Sequence, residues 1–388
     1  MGRRNGFTVV LAALALLTSN IASAQLAQER AGAGLEQSPA SSIWKIAKTP
    51  NLGGFSNDLF AISADTANDI WAVGLLSLHF DGTKWTAIPV VQADEWDGIA
   101  ALSPTDVWAV GQISQNGLNF SEIQHWDGAK WSLVNSPHFP EGEILMGVQA
   151  VSPQDIFAAG WFVDVPNQTL NPLVEHWDGN SWSVVNTPRF SSGSGAILYS
   201  IAIVSDSDIW TVGETGTLDG YNDQPFAMHF DGKQWKRASM PVVGQGLSQF
   251  WHVTAISTDD VWAVGLKHAN PINAPARTLV EHWDGTKWKV APSPNVNPKR
   301  DNELLGVDAI SSSDVWACGL FVNNQGNHRT LVEHWDGQKW TVSNSPNRGI
   351  ADNLFGVAAL PPGNVWLAGA ATVGPADKTL ILETTQGR

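Results

Sequence analysis

Cysteine is almost absent from this sequence, since Cys318 is the single cysteine among 388 residues. A disulfide framework within the chain and a thiolate-rich metal site are therefore excluded. Basic residues are also scarce: 22 Lys and Arg stand against 37 Asp and Glu, which gives a formal net charge of −15. The acidic balance contains no basic run, so we expect neither nucleic acid nor an anionic membrane as a partner.

Long hydrophobic stretches are missing as well, apart from one short run near the N-terminus. Two arginines precede an apolar stretch at residues 7–17, and three small residues follow at 22–24. This order is typical of a secretory signal peptide, whereas a membrane-spanning helix needs about 20 apolar residues. We predict a Sec-type signal peptide over residues 1–24, a flexible leader over 25–41, and a secreted or periplasmic protein without membrane contact after cleavage.

A sustained helical period is also lacking, and two short motifs recur in its place. The first motif reads D-(V/I)-W-A-V-G with small changes. Its seven copies begin at Asp69, Asp106, Asp155, Asp208, Asp260, Asp314 and Asn364. The second motif reads H-(W/F)-D-G-x-x-W. Its six copies begin at His79, His125, His176, His229, His282 and His334, and the intervals between their last Trp residues are 46, 51, 53, 53 and 52 residues.

Each repeat predicts four short strands. A β-branched and aromatic strand carries the first motif, and Asp-Gly supplies a hairpin turn in the second. Four-stranded units at a period of about 50 residues are typical of a β-propeller. The seventh unit has no terminal Trp strand, but residues 42–50 supply one at the other end of the chain. We therefore predict an all-β, seven-bladed propeller over residues 42–388 whose last blade is closed by the N-terminal strand.

In these motifs the chain resembles the bacterial secreted β-propeller repeat proteins with D-V-W-A-V-G and H-W-D-G-x-x-W repeats. It is distantly similar to the WD-repeat, kelch and Trp-rich lectin propellers. The resemblance covers residues 42–388 and implies the fold. Kelch repeats carry a Gly-Gly doublet inside each unit, and here the doublet Gly53-Gly54 lies outside the predicted strands. WD repeats differ in period and in the place of their Trp-Asp pair, so function does not transfer.

Residues that recur in every blade are expected to build the blade. We predict that the repeated Trp side chains pack between neighbouring sheets, and that each motif His bonds to the Asp that opens the first motif. The alternative for the Trp series is a ladder that stacks on sugar rings. The sequence contains no catalytic or nucleotide-binding motif, and no cofactor is predicted. The acidic balance is compatible with Ca²⁺, but no loop has a ligand spacing that demands it.

Residues that break the repeat are the candidates for function. Between the Gly of the first motif and the His of the second lie 4, 13, 15, 15, 16 and 14 residues in the first six units, so these connections vary and the first is clipped. They share one face of a propeller with the connections into the first strand of each blade. The candidate ligand-binding residues on this long-loop face are Trp96, Glu143, Trp161, Tyr199, Tyr221, Trp251, His252 and Asn302.

Two functions from different classes fit these observations. The first is a secreted, monomeric, non-catalytic propeller that recognises an extracellular glycan or protein on its long-loop face. The second is an extracellular polysaccharide lyase or glycoside hydrolase on the same scaffold. A lyase needs a base such as His252 or His138 and a cation such as Arg277 or Arg329, whereas a retaining hydrolase needs two carboxylates about 5 Å apart. Glu143, Glu303 and Asp97 are available carboxylates, and no spacing selects a pair.

Overall fold

The computed structural model describes residues 43–53, 56–91, 94–167, 169–191, 194–216, 223–244, 246–268 and 274–384. These residues form 28 strands and no helix. In this part of the chain, accordingly, no helix is long and apolar enough to cross a membrane. The predicted all-β class is confirmed.

The strands follow one another in seven groups of four. The first fourteen in chain order are β1 (Trp44–Ile46), β2 (Leu59–Thr66), β3 (Asp69–Gly74), β4 (Ser77–Phe80), β5 (Trp85–Ile88), β6 (Glu95–Ser103), β7 (Asp106–Gln115), β8 (Leu118–Trp126), β9 (Trp131–Val134), β10 (Glu143–Ser152), β11 (Asp155–Asp164), β12 (Thr169–Trp177), β13 (Trp182–Val184) and β14 (Gly195–Ser205). The remaining fourteen are β15 (Asp208–Gly216), β16 (Gln224–Phe230), β17 (Trp235–Arg237), β18 (Ser248–Ser257), β19 (Asp260–His268), β20 (Ala276–Trp283), β21 (Trp288–Val290), β22 (Asn302–Ser311), β23 (Asp314–Val322), β24 (His328–Trp335), β25 (Trp340–Val342), β26 (Asp352–Leu360), β27 (Asn364–Val373) and β28 (Ala376–Thr384).

The strands pair into seven four-stranded antiparallel sheets, which are the blades of a propeller. Blade 1 is β2–β5, and blades 2 to 6 take the next four strands each, in order. Blade 7 has the order β1-β28-β27-β26, so the first strand of the chain completes the last sheet. The innermost strands of neighbouring blades contact one another around the whole ring, from β2 through β26 and back to β2. The predicted seven blades and the predicted closure are both confirmed.

Neighbouring blades are held together by the repeated Trp residues. The second-strand Trp of one blade meets the fourth-strand Trp of the next edge to face, and in six interfaces the ring centroids lie 5.3 to 5.8 Å apart. In the seventh interface Phe157 takes the place of the second-strand Trp and packs with Trp235 in one apolar cluster. Buried aromatic area is the dominant favourable term in such short strands. The prediction that these side chains form the core is confirmed.

The second motif builds the hairpin between the third and fourth strands. In blade 1 the Asp81 carboxylate accepts hydrogen bonds from the backbone N–H of Thr83 (2.9 Å) and Lys84 (3.0 Å). Gly82 follows with φ +84°, a conformation that glycine adopts without steric cost. The same arrangement recurs in the other five copies. The Asp-Gly pair is therefore explained by turn geometry.

The motif His and the Asp of the first motif form a pair inside each blade. In all six copies Nε2 of the His lies 2.6 to 2.8 Å from Oδ1 of that Asp, as predicted. The imidazole also lies over the aromatic ring of the second strand, with centroids 4.1 to 4.5 Å apart. Blade 7 replaces the pair by Asn364 and Glu383, and Glu383 binds Lys45 instead.

The connections on the long-loop face differ from the prediction. Several are extensions of the second and third strands rather than loops: β7 and β8 are joined by two residues, and β11 continues four residues past Gly160. Apolar pairs occur within these extensions, such as Ile113 opposite Phe120 and Val163 opposite Leu170, and such pairs favour strand over loop. In blade 1 only Leu75 and Leu76 separate β3 from β4, so the predicted shortening of this connection is confirmed.

Candidate functional site

A β-bulge in the innermost strand of every blade shapes the central channel. In blade 5 the register shifts between Phe250 and His252, so Trp251 is the extra residue. The bulge brings the backbone of the innermost strand against the Gly that ends the first motif. A Cβ on Gly265 would lie 1.9 Å from the carbonyl oxygen of Gln249, and equivalent contacts of 1.9 to 2.2 Å occur in the other blades. The recurring Gly is therefore required by the bulge.

The seven bulged residues form one ring near the long-loop end of the channel, since each lies within the first few residues of its innermost strand. They are Phe60, Asp97, Met146, Tyr199, Trp251, Leu305 and Phe355. All seven line a cavity of about 310 Å³ that runs along the axis of the propeller. This volume lies at the lower end of the range for small-molecule pockets. The ring is aromatic and apolar except for one carboxyl group, and we refer to it as the mouth ring.

Two of the predicted residues meet in the mouth ring. The rings of Tyr199 and Trp251 are 4.6 Å apart, and the Tyr199 hydroxyl donates to Glu214 at 2.9 Å. In the amide orientation that satisfies its neighbours, Gln249 donates to the other Glu214 oxygen (2.6 Å) and accepts from Nε1 of Trp251 (3.2 Å). Burial and the nearby Asp223 raise the pKa of Glu214 to about 8. This network fixes both aromatic side chains at the channel wall.

The carboxyl group of the mouth ring belongs to Asp97. Its side chain is hydrogen-bonded to Glu95, and burial together with Glu95 raises the pKa of Asp97 well above its ordinary value. Burial also raises the pKa of Glu95. Two carboxyl groups in contact favour a shared proton, because a second negative charge beside the first is disfavoured. Oδ2 of Asp97 has no hydrogen-bond partner among the described residues.

His252 also lines the channel, directly after the bulge. Burial lowers the pKa of His252 to about 4, so the imidazole is neutral at physiological pH. It makes a hydrogen bond to the backbone of Val307, while Nδ1 has no partner in the described part of the chain. Farther down the channel, the Asp308 carboxylate accepts from the backbone N–H of Ala359 (2.8 Å) and from Thr254 Oγ1 (3.2 Å). Asp308 therefore ties three blades together.

Two predicted aromatic residues lie in the core rather than at the mouth. Trp96 and Trp161 are each 4% exposed. Trp96 pairs with Gly111, one residue before the bulge, and packs edge-on against Trp131 at 4.9 Å. A shift of one residue along a strand turns a side chain to the opposite face. Trp161 belongs to β11 and packs in an apolar cluster that also contains Met146 and Tyr199 of the mouth ring.

Two predicted polar residues are fully buried and organise connections. Glu143 accepts hydrogen bonds from Ser121, His138 and the Phe139 backbone at 2.7 to 3.2 Å, so its carboxylate joins blade 2 to blade 3. The Asn302 amide nitrogen donates to the carbonyl oxygens of Asn297 and Arg300 at 2.8 and 2.7 Å. The remaining candidate, Tyr221, lies outside the described residues.

The cations considered for a lyase are also bound within the scaffold. Arg277 donates to the carbonyl oxygens of Pro298 and Arg300. Arg329 donates to the carbonyl oxygen of Gly349 at 3.1 Å and pairs with Asp352 at 3.6 Å. Among the described residues no group of three or more His, Cys, Asp or Glu side chains is placed to hold a metal ion.

Sequence reasoning missed most of the mouth ring, although a signal was present. Phe60, Met146, Leu305 and Phe355 were not candidates, and Asp97 entered only as a possible hydrolase carboxylate. When the seven innermost strands are aligned on the residue that faces the recurring Gly, the next column holds six different residue types in seven blades. A small residue or His follows in each strand. That column marks the bulge.

Comparisons with known proteins support the fold. No family model and no curated protein matches the chain. A solved structure of YCF48 bound to D1 peptide is similar with a TM-score of 0.56 and 12% identity over 91% of this chain and 100% of that one. The WD40 β-propeller domain of Doa1 has a TM-score of 0.55 and 10% identity, with 89% of this chain and 98% of that one covered. YCF48 from Cyanidioschyzon merolae has a TM-score of 0.54 and 14% identity over the same shares of the two chains. At these identities the likeness shows a WD40-like and YCF48-like propeller fold and does not extend to a ligand.

Proposed function

We propose that this protein is an exported, non-catalytic binding propeller that holds a segment of a protein ligand at the mouth ring. The observation that carries the proposal is the mouth ring itself. Around it the residues that build the blades repeat from unit to unit, while the bulged column differs in nearly every blade. A specific site needs different groups that converge on one place, and rigid scaffolds commonly present such sites.

A protein ligand is favoured over a glycan by the side chains that are left to contact it. Glu143 and Asn302, which were expected to bond sugar hydroxyls, are committed to internal hydrogen bonds. Trp96 and Trp161 are buried, so their ring faces are not available for stacking on a sugar. The exposed parts of the mouth ring are mainly apolar and aromatic. Aromatic and apolar anchors are the usual centre of a protein interface.

Two further observations support this function. One similar propeller is described as bound to a peptide, which is a precedent at the level of the fold alone. The N-terminal pattern at residues 1–24 supports export. The enzyme alternative has less support, since Arg277 and Arg329 are held by backbone carbonyl oxygens and Glu143 by its neighbours.

The proposal is tested by selection of ligands from a peptide-display library, with a glycan array in parallel. Each ligand is titrated against the protein, against Met146→Trp, and against Lys233→Ala. Met146→Trp places a larger side chain in the channel, while Lys233 is exposed on an Asp-Gly turn at the opposite face. We expect saturable peptide binding that Met146→Trp weakens at least tenfold and Lys233→Ala leaves unchanged. Ligands confined to the glycan array, or peptides indifferent to Met146→Trp, would contradict the proposal.

A further inference from the structure

Carboxyl groups cluster on one side of the mouth ring, around blades 1 and 2. Burial and the neighbouring Asp377 and Glu95 raise the pKa of Asp58 to about 7. Asp94 likewise raises the pKa of Glu95, and the Glu95 side chain is hydrogen-bonded to Asp97. Burial and mutual repulsion disfavour a negative charge on each of these carboxyl groups. A positive charge placed among them would therefore be stabilised.

The carboxyl group of Asp97 reaches this region from inside the channel. Its unpartnered oxygen, Oδ2, belongs to a side chain that lines the cavity. Among the described lining residues there is no Lys or Arg. The cavity wall therefore contains a carboxyl group with one shielded, unpartnered oxygen, and none of the described lining residues supplies a cation to pair with it. An unpaired buried acceptor of this kind costs free energy unless a ligand donates to it.

The rest of the wall suits a cation as well. Phe60 and Phe355 lie edge to face with centroids 5.5 Å apart, and Tyr199 and Trp251 form a second aromatic pair. Aromatic faces attract ammonium and guanidinium groups through the ring quadrupole. His252 lines the same channel, and its Nδ1 is a shielded nitrogen without a hydrogen-bond partner among the described residues. A ligand group that is both cationic and a hydrogen-bond donor satisfies all of these features.

We propose that the mouth ring binds the ammonium or guanidinium group of a basic side chain on the protein ligand, with the hydrogen-bonded carboxyl pair of Asp97 and Glu95 as its acidic partner. This inference rests on the proposed function and specifies the chemistry of the same site. The aromatic residues surround the apolar stem and the cation, and Asp97 accepts a hydrogen bond from the charged end. A cavity of about 310 Å³ accommodates one long side chain.

A metal ion is a weaker candidate for the same negative charge. Ca²⁺ takes six to eight oxygen ligands, and most of the mouth ring has no oxygen in its side chains. No group of three or more potential metal ligands converges in the described part of the chain. An anionic ligand is disfavoured because the carboxyls around Asp97 would repel it.

The test uses the intact protein and four probes in calorimetric titrations. These are the acetylated amides of the tripeptides Ala-Lys-Ala, Ala-Arg-Ala and Ala-norleucine-Ala, and butylamine. Norleucine has a lysine-like apolar stem without the charge, and butylamine has the charge without a peptide. The variants are Asp97→Asn, which keeps the shape and removes the ionisable group, and Asp206→Asn, which removes one exposed charge from a turn on the opposite face. A parallel titration with CaCl₂ measures binding of the metal alone.

We expect the Lys and Arg peptides to bind at least about tenfold more tightly than the norleucine peptide, as a charged hydrogen bond predicts. Asp97→Asn should remove that preference, Asp206→Asn should keep it, and added salt should weaken it. The cation assignment is wrong if the norleucine peptide binds equally well, if no basic peptide binds, or if Asp97→Asn changes nothing. Butylamine binding that Asp97→Asn weakens supports the assignment, whereas Ca²⁺ that displaces the peptides overturns it. Display-selected peptides that lose affinity in Met146→Trp but not in Asp97→Asn would leave the proposed function standing and remove only the cation.

Discussion

Lys45 in the first strand and Glu383 in the last strand form an ion pair with 3.1 Å between Nζ and Oε1. Next to it the backbones of Trp44 and Thr384 are paired in the sheet, and Nε1 of Trp44 donates to Ser343 of blade 6 at 2.9 Å. The two ends of the described chain are thus joined in one blade, and the ring closes through backbone pairing rather than through a covalent link.

Removal of residues 1–50 should therefore unfold the protein or make it aggregate. The truncation deletes β1, exposes the edge of β28 and removes the Trp44 side chain from the interface with blade 6. Removal of residues 1–40 takes away no described residue and should leave the melting temperature unchanged. Thermal unfolding of both proteins checks this prediction, and equal melting temperatures would show that β1 does not close the ring.

Gly265→Ala should destabilise the protein by about 1–3 kcal/mol or more, the usual cost of overpacking. The new Cβ would meet the Gln249 carbonyl oxygen at 1.9 Å, and backbone cannot move aside as a flexible side chain can. Gly53→Ala is the control, because nothing lies within 4 Å of the position that its new methyl group would take and the backbone there is not left-handed. Denaturant unfolding measures both. A harmless Gly265→Ala would mean that the bulge does not require glycine.

The indole N–H of the second-strand Trp is used in some blades and not in others. Nε1 of Trp262 donates to Asp260 at 2.9 Å, whereas Nε1 of Trp210 has no partner among the described residues. Phe removes the N–H in both cases, so Trp262→Phe should cost about 1 kcal/mol more than Trp210→Phe. Trp262→Ala should cost about 3–5 kcal/mol. If the two Phe variants lose the same unfolding free energy, the indole N–H contributes nothing and only the volume of the side chain matters at this position.

Stability should fall as pH rises from about 4.5 to 8. Glu175, Glu281 and Glu333 are fully buried between blades, and their carboxyl oxygens have no hydrogen-bond partner in the described structure. Burial raises the pKa of each from 4.5 to about 8. The folded state therefore holds these protons more tightly than the unfolded state. The stabilisation is complete below about pH 4.5, and each group loses up to about 1.4 kcal/mol per pH unit above it.

Denaturant unfolding between pH 5 and 8 tests this dependence. Glu281→Gln removes the titrating group and should make the slope of unfolding free energy against pH shallower. Glu141→Gln is the control, since Glu141 is exposed. If Glu281→Gln and the wild-type protein have the same slope, this carboxyl does not titrate between those pH values.

The fold could be predicted from the sequence because the same strand and turn signals recur in successive repeats. Each Trp, His-Asp pair and Asp-Gly turn recurs in six or seven of the blades, so one correct assignment extends to the other copies. The candidate site was predicted only in part. Trp251 and Tyr199 were identified, but Trp96 lies one residue from the bulged position and points into the core. A bulge shifts the alternation of a strand by one residue, and the period of the sequence alone does not reveal it.

The polar candidates illustrate a second limit of the sequence. Glu143 and Asn302 break the repeat as a ligand residue would, yet both stabilise the connection into an innermost strand. Whether a carboxylate or amide faces a ligand or its own backbone depends on loop conformation, which residue type does not specify. Asp97 was visible as a carboxylate, but its place in the mouth ring follows from the bulge.

The most direct test of the binding site compares Trp251→Ala with Trp96→Ala. Both remove an indole from the innermost strand, but Trp251 lines the channel and Trp96 is packed between blades. Affinity for a display-selected peptide and melting temperature are measured for each. The account predicts that Trp251→Ala loses binding with a small change in melting temperature, and that Trp96→Ala lowers the melting temperature by several degrees and keeps binding where it still folds. Unchanged affinity in Trp251→Ala would contradict a ligand site at the mouth ring.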